Sequence, residues 1–250
     1  RQLLKLLPPL PYLTNALFGV IGYESVQYYE SLNLPEHDPL QFPDFIFLFP
    51  EQLAFLDQKE EKLRLFSFSL DENVIVKTHK AYEERLQNTI EINHPPIQEI
   101  KATPTLSDAL FEKEVETIKK SIFAGDLFQA VLARRFSVPL QESPLESFKR
   151  LRAQNHAPYH FYFKLGPHIL FGTSPETSVL VQNETTHKTV TLSPLAGTRP
   201  RGFKEKKIDP PLDNHYAEAL KTCPKEKAEH MMLVDLARND LARICVPGTR

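Results

Sequence analysis

Cysteine is scarce in this chain: Cys223 and Cys245 are the only two in 250 residues. No CxxC pair and no close set of Cys and His accompanies them, which excludes a disulfide framework and gives no zinc signature. Both read as reduced thiols. Charge of one sign is missing too. The 30 Lys and Arg stand against 32 Asp and Glu, a formal net charge of -2 spread along the chain, so no field gathers nucleic acid or an anionic membrane. No apolar run approaches the roughly 20 residues that cross a bilayer, and the start RQLLKLLPPLP lacks the apolar core and cleavage site of a signal peptide. These absences point to the cytoplasm. There is no internal repeat and no initiator Met, and ARICVPGTR stops in a turn-like segment directly after a patterned helix, so the chain reads as a fragment incomplete at both ends. What is present is the composition of a soluble globular protein, 41% hydrophobic and 25% charged, long enough for a substantial core.

The first hundred residues alternate short apolar runs with prolines. FGVIGYESVQYY, FPDFIFLFP, KLRLFSFSL and NVIVKTH are rich in β-branched and aromatic residues and predict strands, with Phe66, Phe68 and Leu70 alternating with Ser67 and Ser69. Pro95, Pro96 and Pro104 mark an extended connector, which divides a β-rich region, 1–104, from a second region, 105–250. A helix follows. Ser107 caps it, Phe111, Val115, Ile118 and Ile122 form one stripe, and Gly125 ends it. AVLARRFSV predicts a strand, and Ser143, Pro144 and Glu146 predict a capping-box start for a helix with Phe148 and Leu151 on its inner face. HFYFK, HILFGTS, TSVLVQ and KTVTLSP predict four strands of an antiparallel meander, and residues 225–243 a partly buried helix. Helices and antiparallel strands mix without βαβ regularity, so the fold class is α+β.

Three segments carry candidate chemistry. FGTSPET runs a strand into a Gly and Pro turn and presents Glu176, which alone is an ordinary exposed turn acid. In a partly desolvated pocket a carboxyl has its neutral form favoured and can donate a proton to a leaving hydroxyl. SPLAGTRPRG is a tight turn in which Gly197 permits close backbone approach and Thr198 and neighbouring amides can donate to a carboxylate; a hairpin corner needs the same residues. AEHMMLVDLARND places Glu229, His230 and Asp235 on one helix. A hard cation such as Mg²⁺ takes oxygen ligands and often only one or two protein carboxylates, a role that fits Glu229. HExxH spacing is absent, and Asp235, Arg238 and Asp240 have the pattern of surface ion pairs.

AGDLFQAVLARRF, FGTSPET, PLAGTRPRG and EHMMLVDLARNDLARIC, in this order and spacing, resemble the chorismate-utilising enzymes, and more narrowly anthranilate synthase component I. The resemblance covers 124–245, with FGVIGYES and FPDFIF similar to the family's less specific N-terminal half. It implies a mostly antiparallel, sandwich-like core flanked by helices. The family's water-adding members carry a Lys as base where this chain has Gln129. An amide is no base at neutral pH, whereas ammonia has a free lone pair, so Gln129 favours amination. Aminodeoxychorismate synthase, the sister aminating enzyme and the nearest alternative, typically has a nucleophilic Lys where this chain has Ala196.

The resemblance implies Mg²⁺ held partly by Glu229, chorismate contacted by Gly197 and Thr198, Glu176 protonating the departing hydroxyl, ammonia delivered by a glutamine amidotransferase partner, and loss of pyruvate. It also places the family's catalytic His and a second acidic metal ligand beyond Arg250, so these 250 residues alone are expected to be inactive. NHAPYHFYF resembles the family's tryptophan-pocket segment, with Pro158, Tyr159 and His160 on the contacting positions; tryptophan is the expected feedback inhibitor. An aromatic strand of alternating burial explains the same residues. A reading from another class is a scaffold that binds tryptophan or a partner without catalysis.

Overall fold

The computed structural model describes residues 16–33, 38–69, 71–87 and 99–249. The proline connector at Pro95 and Pro96 and the last residue of the Phe66, Phe68, Leu70 pattern lie outside them. The chain forms two compact units, one of residues 1–147 and 163–170, the other of 148–162 and 171–250. Helices and antiparallel strands are mixed in the α+β class expected, and the strands of the described residues pair two by two.

In the first unit, β1 (Phe18–Ile21) runs antiparallel to β2 (Phe45–Leu48), with Phe18 opposite Leu48, and a 3-10 helix (Tyr23–Tyr28) follows β1. Tyr28 donates its hydroxyl to Asp44 at 2.7 Å and closes the turn between these strands. β3 (Gln52–Asp57) pairs with β4 (Lys62–Ser67), Gln52 opposite Ser67. Against β4 lies α1 (Glu72–Gln87), where the NVIVKTH run predicts a strand. Two local features overrule that expectation. Asp71 takes the amide of Asn73 on its side chain at 2.9 Å, satisfying one of the free donors of a first turn. Ile75, Thr78, His79 and Tyr82 then form a half-buried stripe at helical spacing. The helix is fastened to the hairpin by Gln52, which donates to the Thr78 carbonyl at 2.9 Å, and by Ser67 with the His79 ring at 3.0 Å.

The helix expected after Ser107 is α2 (Asp108–Ala124): the Ser107 hydroxyl accepts from the Leu110 amide at 3.3 Å, and Gly125 ends it in the left-handed conformation, φ 85°. The strand expected at AVLARRFSV is reduced to β6 (Phe136–Ser137), paired with β5 (Thr103–Pro104). A strand needs a neighbour for its amides and carbonyls. Among the described residues, 130–133 find none, and Val131 stands 87% exposed. Arg134 stitches this part together. Its guanidinium donates to Asp108 at 2.6 Å and lies over the Phe111 and Phe136 rings at 5.0 and 4.8 Å.

The start of α3 (Pro144–Gln154) has the predicted cap, the Glu146 amide donating to the Ser143 hydroxyl at 3.3 Å. The long hairpin of β7 (Tyr159–Leu165) and β8 (His168–Ser174) turns on Gly166 and Pro167; its Leu165, 4% exposed, is the most buried apolar side chain of the described residues. In the second unit, Phe148 of α3 meets Tyr162 and Phe171 with ring centroids 5.6 and 6.1 Å apart, the aromatic cluster at the base of β8. β9 (Leu180–Asn183) pairs antiparallel with β10 (Lys188–Thr191) as a hairpin of its own. A short hairpin, β11 (Phe203–Lys204) with β12 (Lys207–Ile208), leads into α4 (Pro210–Thr222) and α5 (Pro224–Ile244). Asp209 caps α4 by accepting from Leu212 at 3.1 Å, and a proline opens each helix where the missing N–H costs nothing.

Candidate functional site

The segment 192–202 of the second unit runs between β10 and β11; its end is bonded to backbone, Gly202 accepting from the Asp209 amide at 2.7 Å, and side chains from three other places hold it further. The first is Glu176. At the end of β8, the Ser174 hydroxyl donates to the Glu176 carbonyl at 3.0 Å and accepts from its amide at 3.3 Å, a local turn that swings the carboxylate outward. One oxygen of that carboxylate accepts the Leu195 amide at 3.1 Å. An acid from the FGTSPET motif and the PLAGT motif, 19 residues apart, are thereby joined.

The second anchor is Glu226, in the first turn of α5. Its carboxylate presses on Gly197 so closely that a Cβ there would stand 1.7 Å from Oε2; only glycine admits the contact. Arg199 approaches the same group from the other side, both terminal nitrogens 3.3 Å from Oε1. The third anchor is Asp213 of α4. It takes the Arg201 guanidinium on both oxygens, each at 2.8 Å, and the Gly202 amide at 2.8 Å. The hydrogen bond from Arg201, then that from Gly202, hold the Asp213 carboxyl down to about 2.

Between the segment and the helices is a cavity of about 290 Å³, walled by 194–197 and by Leu220, Lys221, Glu226, Lys227 and His230. Lys221, Lys227 and His230 offer positive charge or donors to an anion, and Glu226 offers a carboxylate to a cation. Of the residues singled out in the sequence, Gly197 lines this cavity, whereas Glu176 is exposed and outside its lining, joined to the wall through the Leu195 amide, and so lacks the partly desolvated pocket expected for it. Thr198 is exposed beside it, its carbonyl taken by Arg199 at 2.8 Å. Glu229 lies one helical turn beyond Glu226, half-buried, outside the cavity lining. Gln129 is exposed in the first unit.

The segment expected to bind tryptophan is exposed at Pro158, Tyr159 and His160. The His160 ring meets the Asn155 carbonyl at 2.9 Å, and the Tyr159 hydroxyl bonds the Thr177 hydroxyl, next to Glu176. Three residues of the site escape a sequence reading: Glu226, Arg199 and Asp213. Only Glu226 leaves a signal there. Glu226, Glu229 and His230 follow i, i+3, i+4 spacing and share a helical face.

A divalent cation fits this donor set. Among the described residues no group of three or more His, Cys, Asp and Glu converges, and the carboxylates this segment of chain offers nearest the cavity are Glu226 and, one turn on, Glu229. That is what Mg²⁺ takes from a protein when waters and a ligand's anion complete the shell. The glycine at 197 is the cradle that lets Glu226 reach the cavity.

Residues 2–250 match the model of the chorismate binding enzyme family. The chain is 36% identical over 246 residues to the pyocyanine-specific anthranilate synthase component 1 of Pseudomonas aeruginosa, covering 94% of this chain and 45% of that protein. It is 36% identical over 259 residues to anthranilate synthase component 1 of Buchnera aphidicola subsp. Pemphigus spyrothecae, covering 100% of this chain and 49% of the relative. The crystal structure of anthranilate synthase component I from Streptococcus pneumoniae superposes with a TM-score of 0.78 at 29% identity, over 91% of this chain and 50% of that one. The chain spans about half the length of the relatives it matches.

Proposed function

This chain belongs to the family of chorismate binding enzymes, and from that membership we propose that it is part of an anthranilate synthase component I, a lyase that converts chorismate and ammonia to anthranilate and pyruvate on the way to tryptophan. The supporting relatives carry that name at 36% identity. The observation that carries the reading is the convergence on one segment of two acids distant in sequence, Glu176 on Leu195 and Glu226 on Gly197, beside a cavity with basic walls.

On this reading the basic side chains Lys221, Lys227 and His230 draw a carboxylated ligand to the cavity, and Thr198 with neighbouring amides orients it. Glu229, with Glu226 beside it on the helix, would hold part of the shell of a Mg²⁺ ion, which would supply charge to fix and neutralise the ring carboxylate. Glu176, whose carboxylate accepts the Leu195 amide beside the segment assigned the substrate contacts, is the proton donor of this reading. Ammonia adds through its own lone pair, the ring hydroxyl leaves as water with the proton from Glu176, and pyruvate is eliminated as the ring becomes aromatic. Gln129 supplies no base and none is needed. Ala196 gives no amine for covalent attack on the ring, which separates this site from aminodeoxychorismate synthase. A glutamine amidotransferase subunit supplies the ammonia, and tryptophan bound at Pro158, Tyr159 and His160 restrains the reaction; Tyr159 reaches the Glu176 turn through Thr177. Cytoplasmic placement is supported by two free cysteines and by the absence, among the described residues, of any helix long and apolar enough to cross a membrane.

The test is product formation by the full-length polypeptide with chorismate and ammonium. Anthranilate fluorescence that depends on Mg²⁺ and vanishes in Glu229→Ala is the expected result. A product with the mass of aminodeoxychorismate, or no turnover with tryptophan binding intact by calorimetry, overturns it.

A further inference from the structure

The two arginines of GTRPRG make ion pairs of different quality, and the weaker one sits where a metal is expected. Arg201 meets Asp213 with two parallel bonds of 2.8 Å to two oxygens, the strong geometry of a guanidinium and a carboxylate. Arg199 instead directs both terminal nitrogens at a single oxygen of Glu226, each at 3.3 Å. The contact is long and lopsided. Glu226 is nonetheless the more enclosed partner, its side chain 15% exposed against 34% for Arg199. An enclosed carboxylate needs a positive partner, and a 3.3 Å fork meets that need without locking the group.

Glu229, on the next turn of α5 and on the same face, makes no ion pair or side-chain hydrogen bond among the described residues. A dication that reaches Glu229 therefore meets one available carboxylate and one occupied by Arg199. Arg199 engages only Oε1 of Glu226, and the other oxygen faces Gly197. A dication brought to that carboxylate meets the charge of the guanidinium at close range, so the two compete for it.

We propose that Arg199 is a built-in competitor for the divalent cation: it neutralises Glu226 while the site is empty, is displaced when the ion arrives, and so sets the metal affinity of the site. The inference rests on the metal role given above to Glu226 and Glu229. The exchange is plain in charge terms. One monovalent group leaves the carboxylate and one divalent ion joins it. The released guanidinium remains tied to the segment through the Thr198 carbonyl, which it already holds at 2.8 Å, and its charge becomes available to the anion that follows the metal. The site thus passes from a neutral pair without metal to a cationic pocket with it, and this orders the binding, metal first and carboxylated ligand second.

The experiment is a Mn²⁺ titration of the full-length polypeptide, read by the electron paramagnetic resonance of the free ion, without chorismate. Arg199→Gln is expected to bind Mn²⁺ about tenfold more tightly than the parent, within the ordinary range for coupled sites. Arg199→Lys, which keeps the charge but cannot fork, is expected to fall between them. In a Glu226→Gln background Arg199→Gln is expected to change nothing, because the contested carboxylate is gone. Unchanged or weaker binding in Arg199→Gln overturns the proposal, as does an equal gain in the Glu226→Gln background, which would mark a diffuse charge effect. Absence of Mn²⁺ binding in parent and variant alike also overturns it. Anthranilate formation by the parent, read separately by fluorescence, shows whether the functional reading survives that outcome.

Discussion

The segment from Pro194 to Gly202 has a fixed end and a loose end, and they are built from similar parts. At the fixed end an arginine, a glycine and an aspartate lock together: Arg201 and the Gly202 amide place three hydrogen bonds of 2.8 Å on Asp213, and Gly202 is buried against the backbone of α4. At the loose end an arginine, a glycine and a glutamate meet at 3.3 Å, and the glycine touches only the flexible end of a side chain. Anchors are made of backbone and bidentate contacts, which cannot rearrange without breaking. Binding groups are made of contacts that can be exchanged. On the metal role proposed for Glu226, its carboxylate is suitably held by a partner that can let go.

Substituting the two glycines breaks the comparison most sharply. A Cβ at Gly202 would stand 2.2 Å from the Asp213 backbone nitrogen and 2.6 Å from its Cα, neither of which can move aside. Gly202→Ala is expected to cost about 3 kcal/mol, the upper range for an overpacked position, seen as a lower midpoint in urea. At Gly197 the obstacle is the Glu226 carboxylate, which can rotate away. Gly197→Ala is expected to keep its urea midpoint while losing about tenfold in Mn²⁺ affinity, as displaced supporting groups of metal sites do. Equal stability losses in the two variants would erase the distinction.

Acid provides a gentler probe. The Asp213 carboxyl, held at about 2 mainly by the hydrogen bond from Arg201, binds its proton less readily in the folded chain than at its ordinary value of 3.8. Its stabilising contribution is therefore complete above 3.8 and disappears as the pH falls through 2. Asp213→Asn is expected to lower the melting temperature at neutral pH and to flatten its decline over that acid window, measured by circular dichroism. A parent and variant with parallel acid profiles would show that the clamp does not form.

The smallest effect belongs to the hairpin leaving the fixed end. Glu205 and Lys206 turn it with φ of 50° and 64°, the left-handed region that glycine and asparagine tolerate best. Replacing them by Asn and Gly is expected to raise stability by about 1 kcal/mol without altering Mn²⁺ binding. A gain in metal affinity would tie the hairpin to the loose end instead.

Much of the fold could be read before any coordinates. Ser107, Gly125, Ser143 and the prolines at 210 and 224 act where their local chemistry says they must, because capping needs only neighbours in sequence. Residues 73–79 misled because β-branched side chains suit a strand, whereas the Asp71 cap and a packing stripe favour a helix. Residues 130–133 depart in the opposite sense: the pattern of a strand is there, but pairing is a property of two segments.

The candidate site divides along the same line. Order and spacing of four motifs determined the family and nominated Glu176, Gly197, Thr198 and Glu229, since a motif records which residues occur and how far apart along the chain. Contacts across 27 residues, such as Arg199 with Glu226, and the choice of Glu226 as the acid pressed into the PLAGT turn, were decided only by the tertiary structure. Sequence spacing fixes the face of a helix on which an acid stands. Which loop that face meets depends on the path of the chain between them.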